Sequence, residues 1–455
     1  MSQHDPKSVD VSRRAAAWAA LAALLLAPVL AALFVLANVV AVVCAVVGIA
    51  LVAGLGWLAL TRRALRRWIY AALAVLALVG VAITFLWALR HGAAIIDLIV
   101  VVLLVIAGWW LARYALAPDV PTLRGTVGTE WPAAERGKRP VLLMNPRSGG
   151  GKVEQFHLVE EARRRGVEPI VLGPGDEFRE RALHAVAEGA DVLGAAGGDG
   201  TQAIVATVAV EHHLPFVCIP AGTRNHFALD LGVDRDDVVG SLDAFVDAVE
   251  RPVDLGMIGD RVFVNNVSLG VYGEVVQAPE YRDAKVKTAV DALPDLLGPD
   301  GNAPELRFLG PDGRQHSTRQ LILVSNNPYE LVRLGGFGTR ERLDSGTLGL
   351  TSIAVDTAAD VAQLTALQLA GQLHRFSGYH VWAAPRFEVD ADGPVAAGID
   401  GEFVSLEPPI KFSVLPSALR VRLARTAPRA SPAATAARFD RQTIGALWHR
   451  ARGTA

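Results

Sequence analysis

Cysteine is almost missing from this chain: Cys44 and Cys218 are the only two among 455 residues. A secreted domain stapled by disulfides is thereby excluded. Neither cysteine, nor the adjacent His212 and His213, falls at a zinc-ligand spacing, so these residues and the scattered tryptophans read as structural. Charge is scarce too. Asp, Glu, Lys and Arg make up 20% of the residues, where a soluble domain carries about a quarter, and the mean hydropathy is +0.32. Chain-wide disorder is excluded by that composition. No internal repeat is present, and no motif in the chain's later part interleaves basic with aromatic residues, so no nucleic acid is expected among the partners.

The longest gap in charge covers residues 15–60, 46 positions without Asp, Glu, Lys, Arg or His. A single helix of that length would run about 69 Å, over twice the hydrocarbon thickness of a bilayer. The segment therefore predicts two helices, with a turn at Asn38 and a kink at Pro28 in the first. Two further apolar runs, Ile69–Leu89 and Ala93–Ala112, approach the roughly 20 residues a span requires. Asp97 stands near the start of the latter, close to an interface. Four transmembrane helices follow; a cleaved signal peptide would explain one run at most.

Lys7, Arg13 and Arg14 precede the first helix, Arg62, Arg63, Arg66 and Arg67 lie between the second and third, and Arg113 follows the fourth. Arg90 alone occupies the third loop. Segments dense in Lys and Arg stay cytoplasmic, so the N-terminus and everything after residue 113 are expected on that side. The formal net charge of −2 conceals this partition. Residues 1–113 carry nine basic against three acidic side chains, and the tail from Arg425 carries six against one, which leaves a strongly acidic body between them. Basic ends beside an acidic body suit a protein held at an anionic bilayer.

From Arg139 onward strands and helices alternate. Strands are expected at Pro140–Met144, Pro169–Leu172, Asp191–Ala196 and Pro215–Ile219, and helices at Val153–Arg165, Glu177–Glu188 and Thr201–Glu211. That alternation implies a parallel sheet covered on both faces. After Pro252 the pattern turns strand-rich: Arg261–Val267, Leu306–Leu309, Leu321–Val324, Gly349–Val355, His380–Ala383, Phe387–Val389, Lys411–Val414 and Leu419–Leu423, with helices near Ala284–Leu297 and Ala359–Leu373. A second, largely antiparallel domain of sandwich type is expected there. Residues Thr426–Thr435 are rich in Ala, Pro and Ser and read as a linker. In Ala436–Arg452, Phe439, Ile444, Leu447 and Trp448 fall among Arg438, Arg441, Arg450 and Arg452. That pattern suits an amphipathic helix lying on anionic lipid, one packed on the α/β and β-rich domains, or a frayed end.

Three glycine-rich turns follow expected strands, at the carboxyl ends where open α/β sheets bind ligands. The first, Asn145-Pro146-Arg147-Ser148-Gly149-Gly150-Gly151-Lys152, misses the Walker spacing because Val153 follows the lysine. Such a loop lets backbone N–H groups converge on an anion ahead of a helix N-terminus, or it is simply a flexible turn. The second is Gly197-Gly198-Asp199-Gly200-Thr201. Asp199 can hold Mg²⁺ among close-approaching glycines, or the segment is an Asp-Gly turn with Thr201 as a cap. The third, Pro220-Ala221-Gly222-Thr223-Arg224-Asn225-His226-Phe227-Ala228, offers small and hydrogen-bonding residues suited to a nucleotide, though Thr and Asn are ordinary capping residues. Further on, Asp400-Gly401-Glu402 places two carboxylates around a glycine. One could accept a proton while the other supports Mg²⁺, and a solvated turn is the simpler reading.

Taken together and in this order, the three turns resemble the diacylglycerol kinase catalytic-domain family, which includes bacterial lipid kinases and the sphingosine and ceramide kinases. Its N-P-x-S-G-x-G, G-G-D-G-T and P-x-G-T-x-N-x-F signatures are all present, and the resemblance runs from about Arg139 to Ala424. It implies an α/β N-lobe with a parallel sheet of phosphofructokinase/NAD-kinase type at 139–251 and a β-sandwich-rich C-lobe at 252–424. An α-helical transmembrane bundle at 15–113 and a linker at 114–138 precede them; a short N-terminus, 1–14, and a basic tail, 425–455, complete the chain.

The resemblance also implies ATP and Mg²⁺ as cofactors and a membrane lipid as acceptor, most simply diacylglycerol. Asn145, Ser148, Gly149, Gly151, Lys152, Gly197, Gly198, Asp199, Gly200, Thr201, Gly222, Thr223 and Asn225 would bind the nucleotide, with Asp199 near the metal. Asp400 would be the base that deprotonates the lipid hydroxyl, supported by Glu402. Leu343-Asp344-Ser345-Gly346-Thr347-Leu348 aligns with a family loop usually reading D-D-G-x-L-D, which binds a structural Mg²⁺ in some members. Here Ser345 and Gly349 replace two of its three carboxylates, leaving Asp344. Asn265–Gly270 matches a segment near the inter-domain cleft. A soluble-substrate kinase of NAD-kinase type, or a membrane-tethered nucleotide or lipid sensor without turnover, is the alternative.

Overall fold

The computed structural model describes residues 6–37, 39–62, 64–90, 93–116, 131–270, 304–330, 339–369, 372–427, 431 and 441–453. The chain forms two compact units. One comprises Met1–Gly128, Val355–Ser377 and Ala436–Ala455; the other comprises Thr129–Ala354 and Gly378–Thr435.

The first unit is helical. Its helices are α1 (Pro6–Ala37), α2 (Val39–Thr61), α3 (Ala64–Arg90) and α4 (Ala93–Leu116). Each contains a stretch long and apolar enough to cross a membrane: Val11–Leu36, Val39–Thr61, Leu65–Trp87 and Ile99–Leu116. The 46-residue uncharged run is thus covered by two helices, one ending at Ala37 and the next starting at Val39; residue 38, the expected turn, lies outside the described residues. Helix α1 packs on α4 and α2 on α3. Small residues allow the close approach: a Cβ on Gly108 of α4 would fall 2.9 Å from the Ala23 Cβ of α1. A tail helix, Arg441–Arg452, joins this unit. It buries Leu447 and Ala451 among Ala16, Ala17, Ala20, Ala112 and Ala115, and Trp448 meets Trp18 edge-on at 5.6 Å. The tail is thus a helix as expected, but it packs on the apolar helices rather than on the α/β and β-rich part.

The second unit holds two main sheets. Its strands are β1 (Pro140–Met144), β2 (Glu168–Val171), β3 (Val192–Ala196), β4 (Phe216–Ile219), β5 (Ala248–Ile258), β6 (Arg261–Phe263), β7 (Asn266–Leu269), β8 (Leu306–Leu309), β9 (Gln315–Thr318), β10 (Leu321–Asn326), β11 (Tyr329–Glu330), β12 (Thr339–Arg340), β13 (Leu348–Ile353), β14 (Tyr379–Ala384), β15 (Arg386–Val389), β16 (Val395–Ile399), β17 (Glu402–Leu406) and β18 (Ile410–Ala424). In the first sheet the order is β2-β1-β3-β4-β18-β5-β6, with β1 to β4 parallel and β15 paired to β18. The second sheet, β14-β13-β10-β7-β16-β17, is antiparallel throughout. Among the described residues this is the expected α/β layout with a β-rich second part.

Four local expectations change. The helix expected over Val153–Arg165 divides into α5 (Lys152–Gln155) and α6 (Leu158–Arg164), because His157 adopts φ +48°. The strand expected over Arg261–Val267 breaks after Phe263, where three successive backbone amides turn toward one carboxylate. Alternating amides of an unbroken strand point in opposite directions and could not do this. Lys411–Val414 and Leu419–Leu423 are one strand, β18, whose register against β5 shifts between Leu415 and Leu419 around Ser417 at φ +50°. That strand returns to the first sheet beside β4, and β5 itself runs through Pro252. The helix expected over Ala359–Leu373 spans Ala358–Leu369 and belongs to the apolar-helix unit, packed on α2. The helix expected near Ala284–Leu297 and most of the 426–435 linker lie outside the described residues.

Candidate active site

The three glycine turns leave the carboxyl ends of β1, β3 and β4 and meet. Gly149 adopts φ +58°, and a Cβ there would fall 2.4 Å from the Ala221 carbonyl oxygen of the third turn. A Cβ on Gly222 would fall 2.4 Å from the Cα of Gly198. The Gly198 amide donates to Ser148 Oγ at 3.1 Å, joining the first turn to the second. Gly149 and Gly222 are therefore glycines because backbones touch there. Gly150 and Gly151 have φ of +74° and +90° with open space beyond them. Asn145 Oδ1 accepts from the Arg147 amide at 3.1 Å and shapes the start of that loop. Lys152 opens α5, its aliphatic stem lying over Gly149.

Several expected nucleotide ligands have structural partners. Asn225, at φ +52°, is buried, accepts from the Gly222 amide at 2.8 Å and donates to the Pro220 and Gly222 carbonyls at 3.0 and 2.8 Å. Both N–H donors of its amide are spent in stapling its own turn. Thr201 folds back over Gly197, and Thr223 stands exposed beside Arg224. Asp199 opens α8 (Asp199–Glu211) and accepts from the His226 and Phe227 amides at 3.1 and 3.0 Å, capping α9 (His226–Leu231). Each of its oxygens keeps a further lone pair. By helix geometry the first amides of α8, including Gly200 and Thr201, lack an intrahelical acceptor, which makes this end receptive to an anion.

Asp400 and Gly401 form the two-residue turn between β16 and β17, with φ of +49° and +90°. Two positive φ values mark the Asp-Gly hairpin turn whose twist suits antiparallel strands. The turn is more than a link. Asp400 Oδ2 accepts from the Val264 amide at 2.9 Å, and Oδ1 from Asn265 and Asn266 at 2.8 and 3.1 Å. Burial pushes the carboxyl up to about 7, the three amides opposing the shift and the nearby Asp199 charge adding to it. Glu402 is exposed. Its Oε2 accepts from Arg261 at 2.6 Å, and its Oε1 would lie 3.0 Å from a Cβ on Gly200, at the start of α8. Asp199, Glu402 and Asp400 thus gather around one end of the first sheet.

Asp344 is not part of this group. Arg342 Nε holds its carboxylate at 2.7 Å. Around it the Ser345 amide and hydroxyl donate to Asn327 Oδ1 at 2.8 and 2.5 Å, and the Gly346 amide donates to buried Asp254 at 2.7 Å. A Cβ on Gly349 would fall 2.5 Å from the Pro328 Cα, so no larger residue fits there. Hydrogen bonds and one ion pair close this loop, and that donor set does not fit a divalent cation. Among the described residues no three His, Cys, Asp or Glu side chains form a metal-binding group.

Sequence reasoning missed Gln202. Buried one residue past the second turn, it donates through Nε2 to the carbonyls of Ala195, Gly197 and Ile219 at 3.0, 3.2 and 3.0 Å. It ties β3, the turn and β4 together. The available signal was a polar residue on an otherwise apolar helix face.

A sheet carrying three converging glycine turns at its carboxyl end, beside three carboxylates, is an arrangement able to receive a phosphate-bearing ligand. Residues 139–258 match the sequence profile of the diacylglycerol kinase catalytic domain. Over and beyond that segment the chain is similar to proteins of the diacylglycerol kinase catalytic-domain family. It is 25% identical over 293 residues to "Diacylglycerol kinase" of Bacillus subtilis, covering 59% of this chain and 94% of that protein. It is 28% identical over 303 residues to "Probable lipid kinase YegS-like" of Pseudomonas aeruginosa, covering 64% and 96%. A crystal structure of a diacylglycerol kinase from Bacillus anthracis aligns over 65% of this chain and 100% of its own, at 16% identity and a TM-score of 0.47.

Proposed function

We propose that this protein is a membrane-bound lipid kinase that transfers the γ-phosphate of ATP to a lipid hydroxyl, most simply from diacylglycerol to phosphatidic acid. The observation that carries the reading is the meeting of the Gly149, Gly198 and Gly222 turns opposite Asp199 and Asp400. The glycine turns and the open end of α8 cradle the phosphates, with Lys152 at their edge. Mg²⁺ bound with a nucleotide takes one or two protein carboxylates and completes its shell with phosphate and water. Asp199, with free lone pairs, fits that demand. The ion would neutralise charge on the phosphates.

Asp400 orients the acceptor hydroxyl and takes its proton. A carboxyl near 7 suits a base working at neutral pH. Glu402, steadied by Arg261, supports the acceptor side. Four apolar helices joined covalently to the catalytic chain confine the enzyme to the surface where its acceptor resides. The dense basic clusters at residues 13–14 and 62–67 orient the catalytic chain toward the cytoplasm.

The test is a transfer assay with radiolabelled ATP and the full chain in vesicles, across diacylglycerol, sphingoid bases, ceramide and polyprenols. Label on diacylglycerol is expected. Phosphorylation of NAD without any lipid product, or nucleotide binding without transfer, would overturn the reading.

A further inference from the structure

Arg340 is fully buried, as is Asp230, and the two form an ion pair: Arg340 Nε and Nη2 reach Asp230 Oδ2 at 2.7 and 2.6 Å, and the Arg340 amide reaches Oδ1 at 2.8 Å. Its remaining fork, Nη1, donates to the carbonyls of Asn326 at 2.7 Å, Val264 at 2.8 Å and Asn265 at 3.3 Å. Burial opposes this guanidinium's charge, yet Asp230 and Tyr329 hold its pKa above the ordinary value. The guanidinium also lies over the ring of Tyr329, 5.5 Å from its centroid, and the Tyr329 hydroxyl bonds the side chains of Asn265 and Asn266.

Each end of this pair leads to one active-site carboxylate. Asp230 is on α9, and the N-terminal amides of α9 hold Asp199. Arg340 grips the carbonyl side of residues 264–265, while the amide side of 264–266 holds Asp400. Such ion pairs contribute little net stability against an apolar replacement, so what this one supplies is geometry.

We propose that the Asp230–Arg340 pair is a positioning device that fixes the Asp199 turn and the Asp400 turn at their working separation. The pair touches neither substrate nor metal; it acts through α9 on one side and through the 264–266 backbone on the other. Only an arginine can do this, because a planar fork reaches a carboxylate and three carbonyls at once, whereas a lysine ammonium is a single point.

This inference rests on the kinase reading, so its test has one arm that needs no turnover. Full-length Arg340→Lys and the paired replacement Asp230→Leu/Arg340→Met are compared with wild type in vesicles. Lysine keeps the charge opposite Asp230, and the double replacement leaves no buried charge alone, so at least one of the two is expected to fold. Hydrogen exchange in peptides covering 261–269 should quicken in both, while peptides covering β1 and β3 keep their protection. In the transfer assay kcat should fall on the order of ten- to hundredfold, with the KM for ATP within about twofold. Unchanged exchange at 261–269, or wild-type kcat in a folded variant, overturns the proposal. If wild type itself transfers no phosphate, the kinase reading fails and exchange alone decides whether the pair holds the two turns.

Discussion

Asp400 adjoins Gly401 and Asp344 stands two residues before Gly346, both glycines of positive φ in tight turns of the same unit, and their surroundings make the two carboxylates opposites. Asp400 is half-buried and accepts three backbone amides, with Asp199 nearby. Asp344 is exposed and paired with Arg342, in a loop closed by Asn327, Ser345 and Asp254. The difference teaches where a carboxylate's chemistry comes from. Amides that hold an anion fix its position, and burial keeps its basicity. A surface guanidinium answers a carboxylate's charge and leaves it nothing further to do.

The comparison breaks most directly at Asp400. Asp400→Asn should reduce lipid phosphorylation about 10²- to 10⁴-fold, the range lost with a general base, with nucleotide binding retained; full activity would remove its assigned role. In the wild type, a base must be ionised to act. Because burial raises the carboxyl to about 7, kcat/KM should climb as pH rises through that value and level off above it. A flat profile between pH 5 and 8 would count against Asp400 as the base. Next in size is Gly222→Ala, which sets a methyl 2.4 Å from the Gly198 Cα. Forcing the turns apart should cost about 1–3 kcal/mol of stability and raise the KM for ATP, seen in thermal unfolding and in kinetics. Gln202→Leu removes the side-chain donor shared by three carbonyls, of which that of Ile219 keeps the Ala221 amide, and should cost about 1–3 kcal/mol as well, with less effect on KM because the glycines keep their contacts. At the small end, Asp344→Asn should change activity less than twofold and stability within about 0.5 kcal/mol. A large loss there would erase the contrast with Asp400.

Much of this architecture was legible because its signals are local. The alternation from Pro140 to Ile219 and the glycine turns follow from short-range patterning, and the helix termini move by a residue or two. The apolar helices were equally plain, since hydrocarbon demands length and lack of charge. What failed to show were pairings between distant segments. Pro416 and Ser417 punctuate residues 410–424, yet the strand continues past them because β5 and β4 supply partners that the local sequence does not reveal. The break after Phe263 has no local cause either; it answers a carboxylate 136 residues away. In the site, glycines announced themselves, whereas Asn225 looked like a ligand because an amide that braces its own turn and one that reaches for a nucleotide have the same letter.

The stretch from Val355 to Ser377 leaves the antiparallel sheet after β13 and is followed at once by β14, which pairs with β13 from Ile353↔Tyr379 onward. In between, Ala358 and Ala362 pack at Gly54 of α2. The polypeptide therefore passes between the two units four times: after residues 128, 354, 377 and 435. No single cut releases a free-standing enzyme. A truncation that begins after α4 would strip the helix 358–369 and the tail helix of the surfaces they cover, and would present Leu447 and Ala451 to water. Anyone seeking a soluble version must excise three segments, not one, and rejoin Ile353 to Tyr379 with a short turn.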